Sequence, residues 1–442
     1  MPIKIPRAKK REEEEKPVQK GAGKFGFRSP RGMHDILPGD FLYRDKIEKS
    51  LRDTADAYMF EHIDTPIAEQ VGLFERGTGT TSEVVEKQMF FIKGGGADAL
   101  ALRPEMTPGV MRAYIQSGLF RVLIPGKFFY YGPMFRHERP QAGRLRQLWQ
   151  AGFEILGSSD AVYDAQIIVA TFRLLSGVKI KNLVLKVNSI GCKTCRTAYV
   201  KKLKDYYRSK TSKLCKDCQR RYRDNPLRML DCKESKCASF KESAPMMLDS
   251  LCGSCKSHFK TVLELLDSVG ISYVVDPLLV RGLDYYSRTV FEIFSEGIDF
   301  ALAGGGRYDY LSLALGGPKI TGVGSAAGVD RIMEVMKIQN IAPQKRKKVQ
   351  VFLVYMGEQA KRVAFRLVET LNEGGISVAE SFSKESLKAQ LRSADREEAP
   401  ISLIIGQREV FEDVVILRNM KTGNQETIPM KKVVEVVKKR LR

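Results

Sequence analysis

Two strand-like runs joined by a charged loop, KFFYYGPMFRHERPQAGRLRQLWQAGFEIL from Lys127 to Leu156, restrict this chain more than any other stretch. The loop from Arg136 to Arg144 holds arginine, histidine, glutamate and a Pro-Gln-Ala-Gly turn, so an antiparallel hairpin with a charged mouth is predicted. Side chains alternate across a strand. Arg146, Leu148, Gln150, Gly152 and Glu154 therefore share one face, and Gln147, Trp149, Ala151 and Phe153 the other. A face that carries Gln150 and Glu154 is either solvated or meets a polar ligand, because burying it without a partner is costly.

A chain of 442 residues has room for two or three domains, each with its own core. Hydrophobic content of 43% and charged content of 28% are those of an ordinary folded protein. The net charge of +21 is not ordinary, and it points to a polyanionic partner, nucleic acid before an acidic membrane surface. No apolar run is long enough to span a bilayer, and no basic segment leads into an apolar signal core. A soluble, cytoplasmic protein is expected. Residues 1–26 have blocks of like charge and little apolar mass, which predicts a disordered tail. Within that tail Gly21, Gly23 and Gly26 match a dinucleotide-binding pattern, but no strand precedes them.

From Ser29 the chain tightens. Tyr43, Ile47, Leu51 and Ala55 recur at helical spacing, and a short edge strand with Pro66 is expected next. Gly94 to Gly96 predict a turn before ALALRPEMTPG, after which a long apolar helix carries Arg112. Between about Lys186 and Phe259 the composition changes, and all eight cysteines lie there: Cys192 and Cys195, Cys215 and Cys218, Cys232 and Cys237, Cys252 and Cys255. Paired thiolates at C-x-x-C spacing chelate a tetrahedral metal, His258 extends the last pair, and eight ligands suffice for two structural zinc ions. Reduced, partly buried thiols without metal are the alternative.

Three later stretches concentrate chemistry. LLVRGLDYYSRTVFEIF sets Arg281, Asp284, Tyr285 and Tyr286 beside a strand, and ALAGGGRYDYL puts three glycines, which permit close approach to a ligand, before Arg307 and Tyr308. ITGVGSAAGVDRIMEVM reads as a small-residue strand leading into a helix with Arg331. Beyond the basic linker from Gln344 to Lys348, strands and helices alternate as a small α/β domain, with a closing hairpin that turns near Gly423.

Taken in order, RGMHDILPGD, LRPEMTPG, YYGPMFRHERPQAGRLRQ, LVRGLDYY, GGGRYD and GVGSAAGVDR closely resemble histidyl-tRNA synthetases, from Phe27 to the end of the chain. The resemblance implies an α+β class II catalytic domain built on an antiparallel sheet over residues 27–343, with the cysteine-rich insertion at about 186–260, and a C-terminal α/β anticodon-binding domain over 344–442. It implies a homodimer joined through the helix and strand ending at Pro66, and a ligase that uses Mg-ATP to convert L-histidine to histidyl-adenylate and then charges tRNA(His). By family match, Arg136, Arg281 and Arg331 hold the phosphates. Glu105, Thr107, Gln150, Glu154, Tyr285, Tyr286 and Tyr308 match the histidine site, and Arg139 and Gln141 match positions that meet the tRNA acceptor end. Two departures stand out: Leu148 occupies the place of an aromatic that stacks on adenine, and Met106 replaces a glycine at the pocket wall. The rivals are a non-catalytic regulatory subunit of ATP phosphoribosyltransferase, which lacks the C-terminal domain and these arginines and tyrosines, and a synthetase-like nucleic-acid module without catalysis.

Overall fold

A computed structural model describes residues 26–79, 82, 84–93, 99–138, 144–346, 348–384 and 386–441. Most of the charged tail, the turn at Gly94 to Gly96, and Arg139 with Gln141 lie outside the described residues. The chain divides into two compact units between Pro343 and Gln344. No helix among the described residues is long and apolar enough to cross a membrane.

In the first unit the strands are β1 Glu61–His62, β2 Ala68–Gln70, β3 Phe90–Ile92, β4 Leu100–Leu102, β5 Gly126–Phe135, β6 Gln147–Leu156, β7 Leu183–Ser189, β8 Tyr273–Val275, β9 Ser287–Ser295, β10 Ala303–Arg307 and β11 Gly322–Gly328. The helices are α1 Pro38–Tyr58, α2 Val71–Thr78, α3 Thr107–Gln116, α4 Ala161–Gly177, α5 Lys193–Tyr207, α6 Lys216–Asp224, α7 Ser235–Glu242, α8 Gly253–Ser268, α9 Leu311–Ala314 and α10 Val329–Ile338. Among the described residues the main sheet runs β1-β5-β6-β11-β10-β9-β7-β8, antiparallel except for the outer pairs β1 with β5 and β7 with β8. The expected hairpin forms, with Phe128 opposite Glu154 and Phe135 opposite Gln147.

One face of this sheet is covered by helices. Ile47 and Leu51 of α1, Ile168 and Leu174 of α4, Val262 and Leu266 of α8, and Ile332 and Met336 of α10 pack with Ala151, Phe153 and Ile155 of β6. Helix α1 begins with proline in its first turn and is capped by Met59, whose left-handed backbone (φ 59°) turns the Phe60 N–H onto the Ala55 carbonyl at 2.9 Å. Pro66 belongs to no strand: it lies in the link between β1 and β2, where its missing N–H costs no ladder bond. On the opposite face α3 closes a second core around Met106, Val110, Tyr130 and Tyr308, and this face carries the cleft.

The second unit holds β12 Val351–Tyr355, α11 Glu358–Glu373, β13 Val378–Ala379, α12 Leu387–Arg396, β14 Ile401–Ile405, α13 Gln407–Phe411, β15 Val414–Asn419, β16 Gln425–Pro429 and α14 Val433–Leu441. Its sheet runs β13-β12-β14-β15-β16, parallel on one side of β14 and antiparallel on the other. Helices α13 and α14 go beyond the sequence reading. Val433 and Val437 of α14 complete the core under Leu353 and Leu403.

Candidate active site

Strand alternation builds the floor of the cleft. Directly opposed residues of a hairpin share a face, so Tyr130 stands beside Gly152, Gly132 beside Gln150, and Met134 beside Leu148. Glycines in the floor make room for polar side chains. A Cβ on Gly152 would lie 2.2 Å from the Tyr130 ring, one on Gly324 1.6 Å from Glu154 Oε2, and one on Gly304 2.5 Å from Arg281 Nη1. Gly304 thus lines the cleft, whereas Gly305 serves strand packing, its Cβ position being 2.1 Å from the Gly324 carbonyl oxygen.

The cleft, about 180 Å³, brings together Glu105, Thr107, Arg136, Gln150, Arg281, Tyr285, Tyr286 and Arg331. Glu154 and Tyr308 lie one layer below: Glu154 is fully buried, accepting from Thr107 Oγ1 at 2.6 Å and from the Tyr308 hydroxyl. Tyr285 donates to Glu105 Oε2 at 2.7 Å. The second oxygen of Glu105, the amide oxygen of Gln150 and the Tyr130 hydroxyl are buried and find no hydrogen-bond partner among the described residues. Three unsatisfied polar atoms around one cavity amount to a standing demand for a polar ligand.

Burial pushes the Glu105 carboxyl up to about 7, against the Tyr285 hydrogen bond and the charges of Arg136 and Arg281. Burial likewise raises Glu154 to about 8; the Thr107 and Tyr308 hydroxyls oppose this and the Glu105 charge adds to it. The three arginines line the same cleft. Arg136 Nε donates to the Pro104 carbonyl at 2.8 Å, Arg281 pairs with Glu292, and Arg331 Nη1 donates to the Ala301 carbonyl at 2.9 Å with its guanidinium 5.5 Å from the Phe300 ring.

Leu148 lines the cleft, and the Trp149 ring packs on the helix-covered face against Tyr131 with Arg44 4.8 Å above it. Met106 does not line the cleft. It is buried, its sulfur accepting from Thr65 Oγ1 at 3.2 Å. Tyr130 and Glu292 escaped the sequence reading; alternation in β5, paired with β6 at the observed register, was the signal for Tyr130.

The cysteines do not group in sequence order. Cys192, Cys195, Cys252 and Cys255 form one cluster, and Cys215, Cys218, Cys232 and Cys237 another, with ligand atoms within 4.8 Å of one another. His258 joins neither cluster. Its Nε2 is 3.1 Å from Asp164, its Nδ1 faces Arg288 at 3.1 Å, and Asp164 in turn pairs with the buried Arg307. Arg307 is therefore part of the sheet's ion-pair network and not of the cleft.

The described geometry can be set beside known proteins. A family model for histidyl-tRNA synthetase matches residues 32–332, and one for an anticodon binding domain matches 350–440. The histidine-tRNA ligase of Halothermothrix orenii is 42% identical over 414 residues, 93% of this chain and 99% of that protein. That of Desulfitobacterium hafniense is 40% identical over 418 residues, 94% and 99% respectively. The crystal structure of apo histidyl-tRNA synthetase from S. aureus matches with a TM-score of 0.77 at 32% identity, over 93% of this chain and 100% of that one. With an antiparallel sheet, a cleft of arginines and buried acceptors, and relatives matched along almost their whole length, the chain belongs to the histidyl-tRNA synthetase family.

Proposed function

We propose that the cleft binds L-histidine and Mg-ATP, forms histidyl-adenylate, and passes the histidyl group to the 3′ end of tRNA(His). The observation that carries this reading is a pair of buried acceptors without a partner among the described residues, Glu105 Oε1 and Gln150 Oε1, in the same cleft as Arg136, Arg281 and Arg331. Acceptors of this kind suit an ammonium and an imidazole N–H. An apolar amino acid would leave them unpaired and be rejected.

The chemistry needs no protein nucleophile. A carboxylate oxygen of histidine attacks the α-phosphorus in line, the bond to the bridging oxygen breaks, and pyrophosphate leaves with the electron pair. Arg136 and Arg281 are assigned to the α-phosphate and Arg331 to the nucleotide and its γ-phosphate, where fixed positive charge offsets the charge of the transition state. Arg281 exchanges Glu292 for phosphate when ATP enters. Thr107, Tyr285 and Tyr286 shape the amino-acid pocket, with Glu154 and Tyr308 holding Thr107 from below. A terminal ribose hydroxyl of the tRNA then attacks the acyl carbon and AMP departs; Arg139 and Gln141 are assigned to the acceptor end. Mg²⁺ enters as part of the substrate.

The chain is read as a cytoplasmic homodimer, joined where α1 ends and the link to β2 begins. Met59, 80% exposed, and Ile67, 46% exposed, leave apolar surface there. The cysteines are read as ligands of structural zinc, outside the reaction. Histidine-dependent ATP–pyrophosphate exchange by the purified protein, reduced at least about 100-fold in Arg281→Ala, is the expected result. A wild-type protein that shows no exchange and instead binds a phosphoribosyltransferase would overturn the reading.

A further inference from the structure

The insertion between β7 and β8 has a core unlike the others, with Tyr199, Leu203 and Tyr207 packed among cysteines. Between α5 and α8 its helices are short, α6 having 9 residues and α7 having 8. A core of that size rarely holds by itself. Three of its cysteine pairs share one construction: Cys192, Cys215 and Cys252 stand at helix N-cap positions, and Cys195, Cys218 and Cys255 follow in the first turn.

Backbone N–H groups aim at the sulfurs, from Cys218 to Cys215 Sγ at 3.3 Å, from Cys252 to Cys195 Sγ at 3.1 Å and from Cys215 to Cys237 Sγ at 3.3 Å. Such donors favour thiolates. All eight cysteines are free, and Sγ separations of 3.5 Å (Cys192 to Cys195) and 3.8 Å (Cys215 to Cys232) occur within the clusters. A tetrahedral zinc with bonds of about 2.3 Å requires sulfurs about 3.8 Å apart.

The insertion also touches the cleft from behind. Arg196, one residue past Cys195, donates to the Asp284 carbonyl at 3.2 Å and to the Tyr286 carbonyl. Asn225, which ends the helix that Cys215 and Cys218 open, donates to the Asp284 carboxylate at 2.8 Å. Between the Asp284 and Tyr286 carbonyls that Arg196 holds, Tyr285 reaches Glu105.

We propose that Cys192, Cys195, Cys252 and Cys255 hold one zinc ion and Cys215, Cys218, Cys232 and Cys237 a second, and that the insertion they fold is the outer wall of the amino-acid pocket, transmitting metal occupancy through Arg196 to the Asp284–Tyr286 loop. Loading each centre releases the protons of its thiols and leaves a tetrathiolate complex with net charge −2. Arg196 is a positioning residue. Its two carbonyl contacts fix the loop on which Tyr285 meets Glu105. The kinetic part of this inference rests on the reading of the cleft as the histidine site; the metal part does not.

Elemental analysis of the purified full-length protein is expected to find two zinc ions per chain, and Co²⁺ exchanged for them to show strong thiolate-to-metal charge-transfer absorption. Cys192→Ser with Cys252→Ser is expected to retain one zinc, to speed amide exchange over residues 279–286, and to raise the histidine KM about tenfold with the ATP KM within about twofold. Arg196→Ala is expected to keep both metals yet shift KM and amide exchange in the same way, and Arg196→Lys to restore part of both. A zinc-free wild type with no cobalt spectrum overturns the centres. An Arg196→Ala protein with unchanged histidine KM and unchanged exchange at 279–286 overturns the coupling, and this variant decides the matter if the double cysteine variant does not fold. A wild type without histidine-dependent pyrophosphate exchange removes the reading of the cleft, while the metal count and amide exchange still judge the wall.

Discussion

Glu105 and Glu154 show how burial writes function into a titration curve. Both are buried carboxyls, raised to about 7 and about 8 with desolvation as the largest cause. A glutamate in the unfolded chain titrates near about 4.3. Over the interval between, the folded chain binds more protons than the unfolded one. The stability that this pair contributes is therefore full below about pH 4.3 and is lost as pH rises through about 7 and about 8. The ligand-free protein is expected to lose Tm between about pH 5 and about pH 8, and the double variant Glu105→Gln with Glu154→Gln to flatten that slope relative to wild type, as calorimetry across the range would show. A parallel pair of curves would mean that the two carboxyls do not titrate as their burial requires.

The hairpin of β5 and β6 was readable because two constraints coincide, apolar strands with period-two alternation and a mouth that only polar residues fill. Its faces follow the alternation, with Trp149 and Phe153 toward the helices and Gln150 and Glu154 toward the cleft. The glycines were harder to interpret. Gly152, Gly304 and Gly324 are small because Tyr130, Arg281 and Glu154 occupy the space above the neighbouring strands, which no local pattern records. Gly152→Ala is expected to displace Tyr130 and cost about 1–3 kcal/mol of stability. Gly324→Ala, whose methyl meets the Glu154 carboxylate, is expected to raise the histidine KM more than it lowers Tm. Urea unfolding together with pyrophosphate exchange separates the two effects.

Each unit of the chain has its own apolar core, that of the second unit gathering Leu353, Leu371, Leu403, Leu417 and Val437. A fragment from Gln344 onward is expected to unfold cooperatively by itself, and the complementary fragment to retain histidine-dependent exchange while losing most tRNA charging. Circular dichroism and an aminoacylation assay would check this. The β5–β6 hairpin and its polar face, the helix through Tyr43 and Ala55, the strand–helix alternation of the C-terminal unit and the basic character of the chain were legible in the sequence, since propensity, alternation and charge are local or additive properties; the three arginines were read from the resemblance to the family. Tertiary structure decided the rest. It joined the first cysteine pair to the last and the second to the third, took His258 and Arg307 into a buried network with Asp164, and placed Glu154 beneath Thr107 instead of at the cleft surface. These are contacts between residues far apart along the chain, brought within reach by the packing of the sheet against its helices and, for the cysteines, by the separate core of the insertion.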